Sequence, residues 1–127
     1  MTVITPKSVE KRKVSYPAVT IRRDGLYFNA ASITQFDLSP GNTIQFLNEG
    51  KFWAFIKIID SDTFTLVPRK KVAGLWLYNY GLSKRILSSM NIEPNGEPIR
   101  MGLKVSSIEF KGVETIEIIP TARAKKT

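Results

Sequence analysis

Twelve of the nineteen lysines and arginines in this 127-residue chain fall into four short clusters. These are Lys7, Lys11, Arg12 and Lys13; Arg22 and Arg23; Arg69, Lys70 and Lys71; and Arg123, Lys125 and Lys126. The last three each follow a run of the form apolar, any, apolar, ending at Ile21, at Val67 with Pro68, and at Ile119 with Pro120. Cations placed at the ends of β-hairpins suit the neutralisation of phosphates. The same placement also serves solubility alone, since hairpin tips face water. Tyr16, Tyr27, Phe28, Trp53, Trp76, Tyr78 and Tyr80 lie near the clusters, and rings interleaved with cations suit single strands, whose bases stack at about 1–3 kcal/mol each. Core packing accounts for most of these rings, and only Tyr16, Tyr78 and Tyr80 fall where an exposed ring is expected.

Other chemistry has little to work with. There is no cysteine and no histidine, which removes thiolate nucleophiles, disulfides, imidazole bases and the usual zinc ligands together. The paired acids are Asp60 with Asp62 and Glu93 with Glu97. Asp-Ser-Asp is what a turn selects, and no glycine-rich phosphate loop or nucleophile elbow accompanies either pair. The expectation is a non-enzymatic protein with no catalytic residue, cofactor or metal.

Nineteen basic residues against eleven acidic ones give a net charge of +8 and a pI near 9.9. That balance favours a polyanionic partner, nucleic acid before membrane. The N-terminal stretch has no apolar core of a signal peptide and no apolar run approaches a membrane span, so a cytoplasmic location with no membrane partner is expected.

The elements that must carry the clusters read as two related halves. The stretch 25–42, GLYFNAASITQFDLSPGN, is a turn, a short strand, a short helix capped by Asn29 and a Ser-Pro-Gly-Asn turn. A looser copy follows at 74–96, GLWLYNYGLSKRILSSMNIEPNG. Asp24-Gly25 between β-prone runs predicts a hairpin whose glycine takes positive φ. Further strands are predicted over 17–21, 43–47, 52–59, 63–67, 99–105, 107–110 and 115–120, with the second helix running through Leu82, Ile86 and Leu87. Ala30, Ile33 and Phe36 are expected on the buried face of the first helix. Thr63 to Pro68 and Thr115 to Pro120 match in pattern and are aligned as equivalent strands. The offset between the halves grows from fifty residues before the helix to fifty-four after it, which lengthens the second helix by about one turn. The layout is a flexible basic arm, 1–16; a single globular β-rich domain, 17–120, with pseudo-repeats 17–68 and 69–120; and a basic tail, 121–127. The fold class is mainly β: a small barrel-like domain of two pseudo-twofold repeats, each with hairpin strands and a short helix.

The order strand, basic turn, Gly25, strand, short helix, Leu38-Ser39-Pro40-Gly41-Asn42, strand resembles the swapped-hairpin β-barrel DNA-binding domains of the antitoxin and transition-state-regulator (AbrB-like) superfamily. The resemblance covers about 19–46, with a fainter copy over 66–99. Asn42 replaces the usual aspartate of that turn, Asn29-Ala30 stands where a proline is common, and the strand over 52–59 is an addition. In that family two short chains interleave and basic hairpin residues meet DNA. The resemblance implies that one chain here supplies both copies, with Arg22, Arg23, Arg69, Lys70 and Lys71 facing DNA. A weaker resemblance links the chain to single-stranded-DNA-binding coactivators of the whirly type, although their helices follow long runs of strands.

The function expected is therefore DNA binding, single-stranded or duplex, in a small transcriptional regulator. The alternative is a protein-interaction or structural accessory module of phage or mobile-element origin, with a homo-oligomer or a protein partner. Steep loss of affinity with salt marks the first and is foreign to the second.

Overall fold

The computed structural model describes residues 16–59, 63–69, 73–93 and 97–120. The elements are β1 (Ala18–Arg22), β2 (Gly25–Phe28), α1 (Ala30–Phe36), β3 (Thr43–Glu49), β4 (Phe52–Lys57), β5 (Phe64–Thr65), β6 (Val67–Pro68), β7 (Leu75–Tyr78), α2 (Tyr80–Ser89), β8 (Ile99–Phe110) and β9 (Val113–Pro120). The strands form a single antiparallel sheet in the order β5-β3-β4-β9-β8-β1-β2-β7-β6. Its two edges, β5 and β6, are separated in the chain only by Leu66. The Leu66 N–H donates to the Asn42 carbonyl and its carbonyl accepts from Gly41 N–H, at 2.9 and 2.8 Å. One short segment thus ties both edges together, and the sheet curls into a nearly closed barrel, which leaves little unpaired edge.

The pairing scheme has twofold pseudo-symmetry. Exchanging β1 with the β5–β6 segment, β2 with β7, α1 with α2, β3 with β8 and β4 with β9 maps the strand order onto itself. The pseudo-axis passes between β2 and β7 at Tyr27 and Trp76, and between β4 and β9 at Ala54 and Glu117. Every β2–β7 and β4–β9 hydrogen bond therefore joins one half to the other. By strand pairing, 64–68 is the counterpart of β1 and opens the second half.

The helices repeat the same instructions. Asn29 Oδ1 accepts from Ser32 N–H at 3.0 Å, and Asn79 Oδ1 accepts from Leu82 N–H at 2.8 Å. Each side chain satisfies one of the N–H groups that a helix start leaves free. Asp37 and Asn91 then take left-handed conformations, φ 52° and 59°, and the following N–H groups, of Leu38 and Ile92, donate back to Ile33 and Leu87 carbonyls. That is the glycine-type helix stop achieved with Asp and Asn, the residues that best tolerate it after glycine.

The barrel interior holds Val19, Ile21, Leu26, Phe28, Ile44, Phe55, Leu66, Leu77, Met101 and Ile118, all nearly inaccessible, with Leu82, Ile86 and Leu87 of α2 packed onto them. Phe28 and Phe55 meet edge to face, centroids 5.4 Å apart, the arrangement the ring quadrupoles favour. Trp53 Nε1 donates to Ser89 Oγ and fastens the end of α2 to β4.

Several local expectations are corrected. Gly25 does not take positive φ; a Cβ there would lie 2.1 Å from the Leu77 carbonyl oxygen, so it is the close approach of β2 to β7 that requires glycine. Gly41, by contrast, sits at φ 91°, as its turn demands. Ala30 is exposed, and the buried residue of α1 is Ser32, whose hydroxyl donates to the Ala18 carbonyl and accepts from Ala18 N–H, both at 3.0 Å. The expected strand 63–67 is two two-residue bridges on opposite sheet edges. The two expected strands 99–105 and 107–110 are one, β8, with a register irregularity between Val105 and Glu109. Thr115 to Pro120 lies in β9, whose counterpart is β4 and not 63–68.

Candidate nucleic-acid interface

Strand β7 alternates Leu75, Trp76, Leu77, Tyr78. Leu75 and Leu77 enter the core, so Trp76 and Tyr78 stand on the outer face of the barrel. An indole on the outside of a sheet would ordinarily meet water, yet Trp76 is only 5% exposed. Four side chains cover it. Tyr27, its partner across the ladder, has its ring centroid 5.1 Å away, and Tyr78 lies nearly parallel at 5.5 Å with an interplanar angle of 9°. The guanidinium carbons of Arg22 and Arg69 stand 5.5 and 4.7 Å from the indole centroid.

The two arginines reach this ring from opposite ends. Arg22 follows Ile21, paired with Leu26, and Arg69 follows Pro68, paired with Leu75. Because β2 and β7 run antiparallel, the β1–β2 turn and the β6–β7 connection lie at opposite ends of the ladder, and the long side chains converge on its middle. A cation over indole contributes about 0.5–1 kcal/mol at an exposed site and more where water is excluded. A guanidinium held beside an indole can still offer N–H donors to an anion.

Arg22, Arg23, Asp24, Arg69, Trp76 and Pro98 line a shallow depression of about 360 Å³. Among the described residues, no ion pair is seen at Arg22, Arg23 or Arg69, whereas Lys57 pairs with Asp37 at 3.7 Å. Asp24 also lines the depression, with no ion pair to these arginines, and its carbonyl accepts from Asn79 N–H at 2.9 Å, tying the basic turn to the start of α2. Trp76 Nε1 is buried with no hydrogen-bond partner among the described residues. The Gly74 N–H donates to Tyr27 Oη at 3.1 Å, holding the tyrosine against the indole.

Of the five residues expected to face a polyanion, the structure brings Arg22, Arg23 and Arg69 to one depression, and Lys70 and Lys71 lie outside the described residues. Tyr16, Tyr78 and Tyr80 are about half exposed. Asp60 and Asp62 fall outside the described residues, while Glu93 and Glu97 are exposed. Trp76 as the centre of the site was not singled out from sequence. The signal was present: in Leu-Trp-Leu-Tyr the two leucines take the core and send both large rings outward.

A second surface feature lies at the far end of β8 and β9, where Val105, Ile108 and Val113 are each about half exposed. Among the described residues no helix is long and apolar enough to cross a membrane.

Comparison with family models, with curated proteins and with solved structures gives no match.

Proposed function

We propose that the protein binds DNA through the outer face of β1, β2 and β7, with Arg22, Arg23 and Arg69 neutralising phosphates. The observation that carries this reading is the convergence of Arg22 and Arg69 on Trp76, with no carboxylate paired to them among the described residues. Guanidinium groups that converge without a paired carboxylate repel one another, and an anion that joins them relieves that repulsion. Lys70 and Lys71 follow Arg69 directly in the chain and join the reading on sequence alone, and the net charge of +8 adds long-range attraction.

The interleaving of the two halves supports the likeness to swapped-hairpin DNA-binding barrels, in which hairpins from two copies share one barrel. On that reading the chain is a small transcriptional regulator carrying both copies. A protein-interaction role is favoured by one other observation, the exposed apolar side chains Val105, Ile108 and Val113 at the far end of β8 and β9.

Fluorescence anisotropy with labelled DNA, from about 50 to about 300 mM salt, separates the two. Phosphate neutralisation makes affinity fall by orders of magnitude over that range, whereas an apolar protein contact hardly changes. Absence of DNA binding at low salt would leave the apolar surface as the functional one.

A further inference from the structure

The face described above pairs Arg22 with Arg69 about the pseudo-axis and is asymmetric in its rings. Arg22 and Arg69 are counterparts under the pseudo-twofold exchange, as are Tyr27 and Trp76. Two residues on in each half, however, come Asn29, itself the cap of α1, and Tyr78, one residue before Asn79, the cap of α2. Asn29 is committed to the fold: its Oδ1 accepts from Ser32 N–H, and its Nδ2 donates to the Tyr16 carbonyl. Tyr78 makes no side-chain hydrogen bond among the described residues, lies parallel to Trp76, and is 51% exposed. The two guanidinium groups and the Tyr78 ring all stand within 5.5 Å of the indole centroid.

Resting on the DNA-binding reading, the geometry points to a single strand as the ligand of this face: an unpaired base stacks on the exposed Tyr78 ring, and the phosphates beside it pair with Arg22 and Arg23 on one side and Arg69 on the other. A duplex offers phosphates and base edges but no base face, because each base is already stacked on its neighbours, and freeing one costs a few kcal/mol. A half-exposed ring held parallel to a buried indole has its orientation fixed before the ligand arrives, so little freedom is lost on binding. The asymmetry has its own consequence. A dyad-symmetric duplex would find the arginines matched about the pseudo-axis and the ring on one side only, whereas a strand with a direction along its backbone fits a face with one ring.

The test compares the whole protein with Tyr78→Ala and Tyr78→Phe, using a labelled oligothymidine single strand and a labelled duplex of mixed sequence, both at low salt. Thermal melts establish that both variants fold. The expected result is tighter binding to the single strand than to the duplex. Tyr78→Ala then loses roughly 5- to 100-fold on the single strand, the range that one stacked base supplies. It leaves the duplex unchanged, and Tyr78→Phe keeps the affinity. Equal binding of both DNAs with no effect of Tyr78→Ala overturns the single-strand inference and leaves the DNA-binding reading standing. Binding of neither DNA by the wild-type protein overturns both.

Discussion

Tyr27 and Trp76 face each other across the β2–β7 ladder, ring centroids 5.1 Å apart, at the point where the pseudo-twofold axis of the barrel crosses its wall. The pair belongs to both halves of the chain, so anything that spaces β2 from β7 also spaces the arginines that close over the indole.

The cover over Trp76 is directly measurable. In a Trp53→Phe background Trp76 is the only tryptophan, because the chain has two. Arg69→Ala removes the nearer guanidinium, at 4.7 Å. We expect a red shift of the emission and readier quenching by acrylamide, with Arg69→Lys showing an intermediate effect, since an ammonium keeps the charge and covers less of the ring. Unchanged quenching in Arg69→Ala would mean that the guanidinium does not shield the indole in solution.

Gly25→Ala tests the close approach of the two strands. Its Cβ would meet the Leu77 carbonyl oxygen at 2.1 Å, a backbone atom that moves only if the ladder opens. A loss of about 3 kcal/mol in urea unfolding is expected, together with weaker DNA binding as the arginines separate.

Asn29 and Asn79 occupy equivalent caps with unequal duties. Asn29 Oδ1 accepts from Ser32 N–H and Ala18 N–H, so it fastens α1 to β1 as well as capping it. Among the described residues, only the cap bond from Leu82 N–H is seen at Asn79 Oδ1. Asn79→Ala should cost about 1 kcal/mol, an ordinary cap, and Asn29→Ala about 2–3 kcal/mol. Equal losses in parallel urea titrations would contradict this division.

The barrel seam runs through Leu66, whose side chain is fully buried while its backbone bonds to Gly41 and Asn42. Leu66→Ala should cost about 2–5 kcal/mol by the cavity it leaves. Amide exchange should quicken at Leu66 and Gly41 before it does in β8 and β9, because the seam is the shortest pairing in the sheet.

Local chemistry was legible in the sequence, and pairing was not. Asn29, the Pro40-Gly41 turn and the apolar positions of the second helix fix their elements by side-chain chemistry near in the chain, and the structure has α1 over Ala30–Phe36 and an α2 that carries Leu82, Ile86 and Leu87 on its buried face, as read. The two-half grammar was visible for the same reason. What failed was whatever depends on a distant partner. Thr115 to Pro120 resembles Thr63 to Pro68 because any half-buried strand alternates in that way, and only the ladders reveal that β9 corresponds to β4. Gly25 looked like a turn glycine because Asp-Gly usually is one, while the reason for it, the Leu77 carbonyl, lies fifty-two residues away. The arginines were found as a cluster type, but their meeting point was hidden, because Trp76 read as one more core aromatic.

The salt dependence of DNA affinity, measured for the wild-type protein and for a variant with Arg22, Arg23 and Arg69 all changed to alanine, tests the central claim most directly. If the three arginines neutralise phosphates, the wild-type affinity falls steeply with salt, and the variant binds far more weakly with a slope of log affinity against log salt shallower by about 2–3. A folded variant with the affinity and slope of the wild type would contradict the account, as would a wild-type protein that binds no DNA at low salt.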